Sequence, residues 1–84
     1  MIIMIKPIFA IKDEAAGIFM DPMTDINKDT AIRNFEFAFK NNQIINFRPS
    51  DFSLWHVADY DNESGEVLAV VPDLIMRGND YGND

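Results

Sequence analysis

Eighty-four residues, no Cys, 48% hydrophobic side chains and a formal net charge of −7 describe a chain that must fold without disulfides. A domain this short buries only a little over about 60% of its unfolded surface, so its stability margin is thin, yet its apolar content is too high for disorder. The lack of Cys excludes thiolate metal chemistry, no apolar run approaches the roughly 18 residues of a membrane helix, and the acidic balance argues against indiscriminate binding to a phosphate backbone.

Residues 2–12, rich in Ile with one Phe, predict a first strand. Pro7 lacks a donor N–H, so its position should face away from a ladder partner, or mark an edge or bulge. The apolar start is too short for a signal-peptide core and has no basic segment before it, so a soluble protein is expected. Asp13-Glu14-Ala15-Ala16-Gly17 is turn chemistry, with Gly17 free to take positive φ. Residues 18–20 then return as a short second strand, ended or bent by Asp21-Pro22, and the unit is a hairpin.

Asn27 suits an N-cap and Asp29 the positive end of a helix dipole. Ala31, Ile32, Phe35, Ala38 and Phe39 recur at helical spacing as one apolar stripe. Arg33, Glu36 and Lys40 stand at pairing distance on the other side. The spacing predicts a helix over 28–41, stopped by Asn41-Asn42. Residues 43–50 form a connection anchored by Ile44-Ile45 and Phe47, and Ser50 either caps a single helical turn or leads into a strand. A second hairpin follows: a strand at 52–60, an acidic turn at 61–65 and a returning strand at 66–71. Pro72-Asp73 is expected to break that return, leaving Leu74-Ile75-Met76 to pack back separately before the polar tail 79–84.

Hairpin, helix, hairpin is most economically an α+β domain over 1–78, a small antiparallel sheet with one helix on one face. Strict alternation along 52–60 places Phe52, Leu54, His56, Ala58 and Tyr60 on one face, and Ser53, Trp55, Val57 and Asp59 on the other. Both faces carry bulk. Ten aromatics exceed what one thin layer holds, which points to a surface that meets a partner, such as a second copy in a homodimer.

Charge is unevenly spread. Residues 1–58 hold seven acids and six bases, whereas residues 59–84 hold seven acids and one base. A basic face built from the first part of the chain therefore survives the overall negative charge.

Catalytic and metal signatures are weak. One His without Cys cannot make the usual tetrahedral zinc site, and His56, between Trp55 and Val57, is better read as a packing or hydrogen-bonding residue. Ser50, Ser53 and Ser64 lie in no nucleophile frame. From Asp59, Gly65 and Val70 fall at the seventh and twelfth positions, off the calcium-loop pattern. Asp59, Asp61, Glu63 and Glu66 thus read as a solvated acidic turn. No Gly-rich phosphate loop or cofactor motif is present, and no metal is expected. Single-stranded nucleic acid remains, since it needs rings to stack bases and bases to follow the backbone. The candidates are Lys6, Lys12, Arg33, Phe37, Lys40, Arg48 and Trp55, with Phe47 beside them; the competing reading makes the rings core and the cations solvated.

Several segments also carry a likeness. They are Phe9-Ala10-Ile11-Lys12-Asp13 with Ala16, Phe19 and Pro22, then Asn27 through Ala31 with Arg33 and Phe35. Pro49-Ser50-Asp51-Phe52-Ser53-Leu54, the turn Asp59-Tyr60-Asp61-Asn62-Glu63-Ser64-Gly65-Glu66, and late Pro72 and Gly78 complete the set. In this order they resemble the small nonstructural protein of gokushovirus-type microviruses, tailless phages with single-stranded DNA genomes, over nearly all of residues 6–78. Ser50 departs from the family's usual acid, Trp55-His56 is uncommon in it, and the helix end lacks the usual Val-Asn. The resemblance implies a protein made in the host cytoplasm during infection and absent from the virion. By analogy it assists the switch to single-stranded genome synthesis, and it assigns no site residue.

The expectation is a nonenzymatic phage accessory protein acting through single-stranded DNA or a replication protein. The alternative is an acidic protein–protein regulator that engages a host factor or imitates DNA through Asp59, Asp61, Glu63 and Glu66.

Overall fold

A computed structural model describes residues 5–40 and 49–78, without the side chains of Phe39, Lys40 and Pro49. The expectations for residues 2–4, for Ile44-Ile45, Phe47 and Arg48, and for the tail 79–84 lie outside the described residues. The chain runs through strands β1 (Ile5–Asp13), β2 (Ile18–Phe19) and β3 (Met23–Thr24), helix α1 (Lys28–Lys40), a 3₁₀ turn (Pro49–Asp51), and strands β4 (Phe52–Asp61) and β5 (Val67–Arg77). All pairings are antiparallel in one five-stranded sheet of order β2-β1-β4-β5, with β3 on the same edge of β1 as β2. Among the described residues this is a strand-dominated sheet with one α-helix.

The first unit differs from a simple hairpin. Gly17 takes φ 74° and its N–H donates to Asp13 O, so Lys12 faces Phe19. Asp21-Pro22 ends β2 after two residues, but the chain then returns to the same edge, where Met23 and Thr24 pair with Phe9 and Ile8. Two short pairings replace one long arm.

Helix α1 begins where its cap chemistry places it. Asn27 Oδ1 accepts from the Thr30 N–H at 2.9 Å, and the Ala31 N–H donates to Asn27 O. One face of α1 buries Ala31 and Phe35 against Phe9 of β1 and Leu54 of β4, with Ile11, Ile32, Phe52, Ile75 and Met76 packed around them. Burying each large side chain contributes about 1.5–3 kcal/mol. With so few of them, Phe9, Phe35 and Leu54 carry much of the fold.

Pro72 does not break the return strand. β5 runs on to Arg77, and while β4 steps from His56 to Ala58, β5 steps from Asp73 to Ala69. Val70, Val71 and Pro72 therefore bulge opposite Val57, and a bulge tolerates a residue with no N–H to donate. Val57 is also the extra residue against β1, where Ile8 pairs with Ala58 and Phe9 with His56. This bulge overturns the strict alternation expected of 52–60, because it inverts the side-chain phase beyond Val57. His56 and Asp59 consequently share a face, and His56 Nε2 lies 2.7 Å from Asp59 Oδ1. In an unbroken strand, residues three apart point to opposite sides.

Candidate nucleic-acid interface

Among the described residues no helix covers the second face of the sheet. The registers place Lys6, Ala10 and Lys12 of β1, Phe19 of β2, Ser53, Trp55 and Tyr60 of β4, and Arg77 of β5 on it. Ala10 and Ser53 are buried even so.

The centre of this face is a packed cation and ring cluster. Phe19 and Trp55 meet edge to face, with centroids 5.9 Å apart and planes at 81°, a favourable arrangement of ring quadrupoles. Lys12 Nζ stands 5.6 Å from the Phe19 centroid and 5.7 Å from that of Trp55, within cation–π range. Trp55 Nε1–H donates to Ser53 Oγ at 2.8 Å, and the Ser53 hydroxyl donates to Glu14 Oε2 at 2.6 Å. Glu14 Oε1 in turn lies 3.6 Å from Lys12 Nζ. The Ser53 hydroxyl, and then the charge of Lys12, hold the Glu14 carboxyl below its ordinary pKa against some desolvation. The ring is thus oriented from beneath and the ammonium from the side.

The sequence candidates separate. Lys6, Lys12 and Trp55 share this face, Lys6 opposite Tyr60 and Lys12 opposite Ser53. Arg33 and Phe37 lie exposed on α1, which packs on the other face, and do not join them. Lys40 belongs to the last turn of α1 with its side chain undescribed, and Arg48 lies outside the described residues. Sequence reading missed Phe19, Tyr60 and Arg77 as members. Counting register outward from the Asp13–Gly17 turn would have placed Phe19 beside Lys12.

The acidic set is also divided. Asp59 turns to His56 on the helix-bearing face, where the His56 ring lies 5.6 Å from that of Phe9. Asp61 Oδ1 accepts from the Glu63 and Ser64 N–H groups at 2.9 and 3.3 Å, and these hydrogen bonds lower its pKa. Glu63 and Glu66 remain as exposed charges at the hairpin tip. Among the described residues no three potential metal ligands gather, and no helix is long and apolar enough to cross a membrane.

No curated protein and no solved structure matches the chain. A family model described as Phage ORF5 protein matches residues 6–81, a span that holds the whole open face, the helix and the acidic hairpin. The chain belongs to the Phage ORF5 protein family.

Proposed function

We propose that this phage protein is a nonenzymatic, nonstructural accessory factor that holds single-stranded DNA on the open sheet face during viral genome replication. The observation that carries the reading is Lys12 beside the rings of both Phe19 and Trp55, on the face that no helix covers among the described residues. Rings to stack bases and cations to follow phosphates are what sequence-tolerant strand binding requires. Lys6 and Tyr60 extend the cluster along β1 and β4. The likeness to gokushovirus-type nonstructural proteins supplies the context of single-stranded genome synthesis, in the host cytoplasm and outside the virion.

Trp55 is the sole Trp, so its fluorescence reports on the site directly. Titration with oligo(dT) at low salt should quench it. With two or three phosphate contacts, log affinity should fall against log salt with a slope of about −1.4 to −2. Replacing Trp55 by Ala should cost about 1–3 kcal/mol of binding, read by gel shift, and Lys12→Gln should shallow the salt slope. Absence of binding even at low salt removes this reading. A replication or host protein docked on Glu63 and Glu66 is the second reading, favoured by their exposure at the hairpin tip. Reversing both charges would then abolish capture of that partner and leave DNA affinity undiminished.

A further inference from the structure

Arg33 and Phe37 are left unused by the sheet face, and the other side of the molecule offers a place for them. Between α1 and the β2–β3 segment lies a cavity of ≈ 580 Å³, floored by Leu54 and walled by Phe35 and Ala38 on one side and Met20 and Met23 on the other. The segment beside it exposes Ile18, Phe19, Met20, Met23 and Ile26, half of the exposed large apolar side chains among the described residues. Contiguous apolar surface of this kind marks an interface, and Met side chains adapt to what enters.

The charged residues lining the cavity are both acids, Asp21 and Asp25. Asp25 is fixed there, since Oδ2 accepts from Asn34 Nδ2–H and Oδ1 from the Ile26 N–H, each at 2.8 Å. The occupant they suit is an aromatic side chain with a cation one helical turn away. This chain presents one: Phe37 is 59% exposed on α1, and Arg33 precedes it by four residues. Asn34, on the cavity wall, is three residues before Phe37, so Phe37 is its neighbour on the helix surface next to the groove.

We infer that the partner for this groove is a second copy of the chain, with Phe37 of each protomer seated in the other's cavity and Arg33 of each facing Asp21 and Asp25 of the other. A two-fold axis parallel to α1 achieves this, because it sets the Phe37 flank of one helix against the groove flank of its mate at equal height, an isologous contact. The inference shares Phe19 with the DNA reading, since that ring borders the cavity as well as the sheet face, whereas Arg33 and Phe37 lie away from that face and their variants test the dimer alone.

Light scattering during gel filtration should give about twice 9.6 kDa. Phe37→Asp removes a buried aromatic anchor and should weaken dimerisation by about 30-fold or more, with the helical circular dichroism unchanged because Phe37 is exposed in the single chain. Arg33→Asp should weaken it too, and adding Asp21→Arg should restore it, a rescue that loss of folding cannot mimic. A native chain of single mass at about 0.5 mM, far above any stable dimer's Kd, overturns the inference and leaves the groove to another occupant. A dimer indifferent to Phe37→Asp overturns it equally.

Discussion

Ser53 links the buried layer to the open face: 1% exposed, it accepts from Trp55 and donates to Glu14. Replacing it by Ala removes the acceptor of the part-buried indole N–H, so Ser53→Ala should cost about 1 kcal/mol in urea unfolding and shift the Trp55 emission as the ring loses its tether. Ser53→Thr, which keeps the hydroxyl, should retain the tether if the added methyl is accommodated. Glu14 and Asp61 matter through pH. Each has a folded-state pKa below its ordinary value, lowered first by the Ser53 hydroxyl and by the Glu63 N–H respectively. A depressed carboxylate stabilises the fold above its unfolded pKa, and that contribution is lost as pH falls through about 4 and below. Urea midpoints measured from pH 6 down to 3 should decline, and Glu14→Gln with Asp61→Asn should flatten the decline. An acid limb indifferent to both changes would show that other carboxylates govern it.

At the scale of elements, short-range chemistry fixes where each begins and turns. Asn27→Ala removes the acceptor for the Thr30 N–H and should lower stability by about 1 kcal/mol. Gly65, at φ 80°, closes the β4–β5 turn by donating its N–H to Asp61 O. A Cβ there would meet nothing within 4 Å, so Gly65→Ala should cost about 1 kcal/mol through backbone strain alone. Thermal melts of the two variants separate these costs from packing, since neither position belongs to the core. The paired bulges at Val57 and Val70–Pro72 have the widest consequence, because they decide which side chains of β4 share a face.

Across the whole molecule, charge is sorted along β4. Trp55 and Asp61 are six residues apart in this strand, about 20 Å at 3.3 Å per residue. The acidic tip is therefore about two Debye lengths from the ring cluster at 0.1 M salt. Glu63→Lys with Glu66→Lys should speed oligo(dT) association at low ionic strength by removing a repulsive field, and the gain should vanish near about 0.15 M salt. Stopped-flow quenching of Trp55 at several salt concentrations measures this. A gain that persists at high salt would place the DNA on the hairpin tip instead.

Local rules reached far in this chain. Helix α1 was legible from its apolar spacing and from Asn27, and both hairpin turns from their Asp and Gly residues, because caps and tight turns are set within four residues. Lys12 and Trp55 were legible as candidates by residue type, but their meeting depends on how β1 and β4 are paired. Pro72 read as a stop because proline cannot donate to a ladder, yet the bulge left it nothing to donate to. The sequence by itself determined the acidic tail-ward charge, the helix and the two tight turns, but not the Met23–Thr24 pairing or the length of the last strand. Only the tertiary structure decided that Phe19 joins Trp55 while Arg33 and Phe37 fall on the far side, since register and face are properties of several strands at once and a one-residue bulge inverts them.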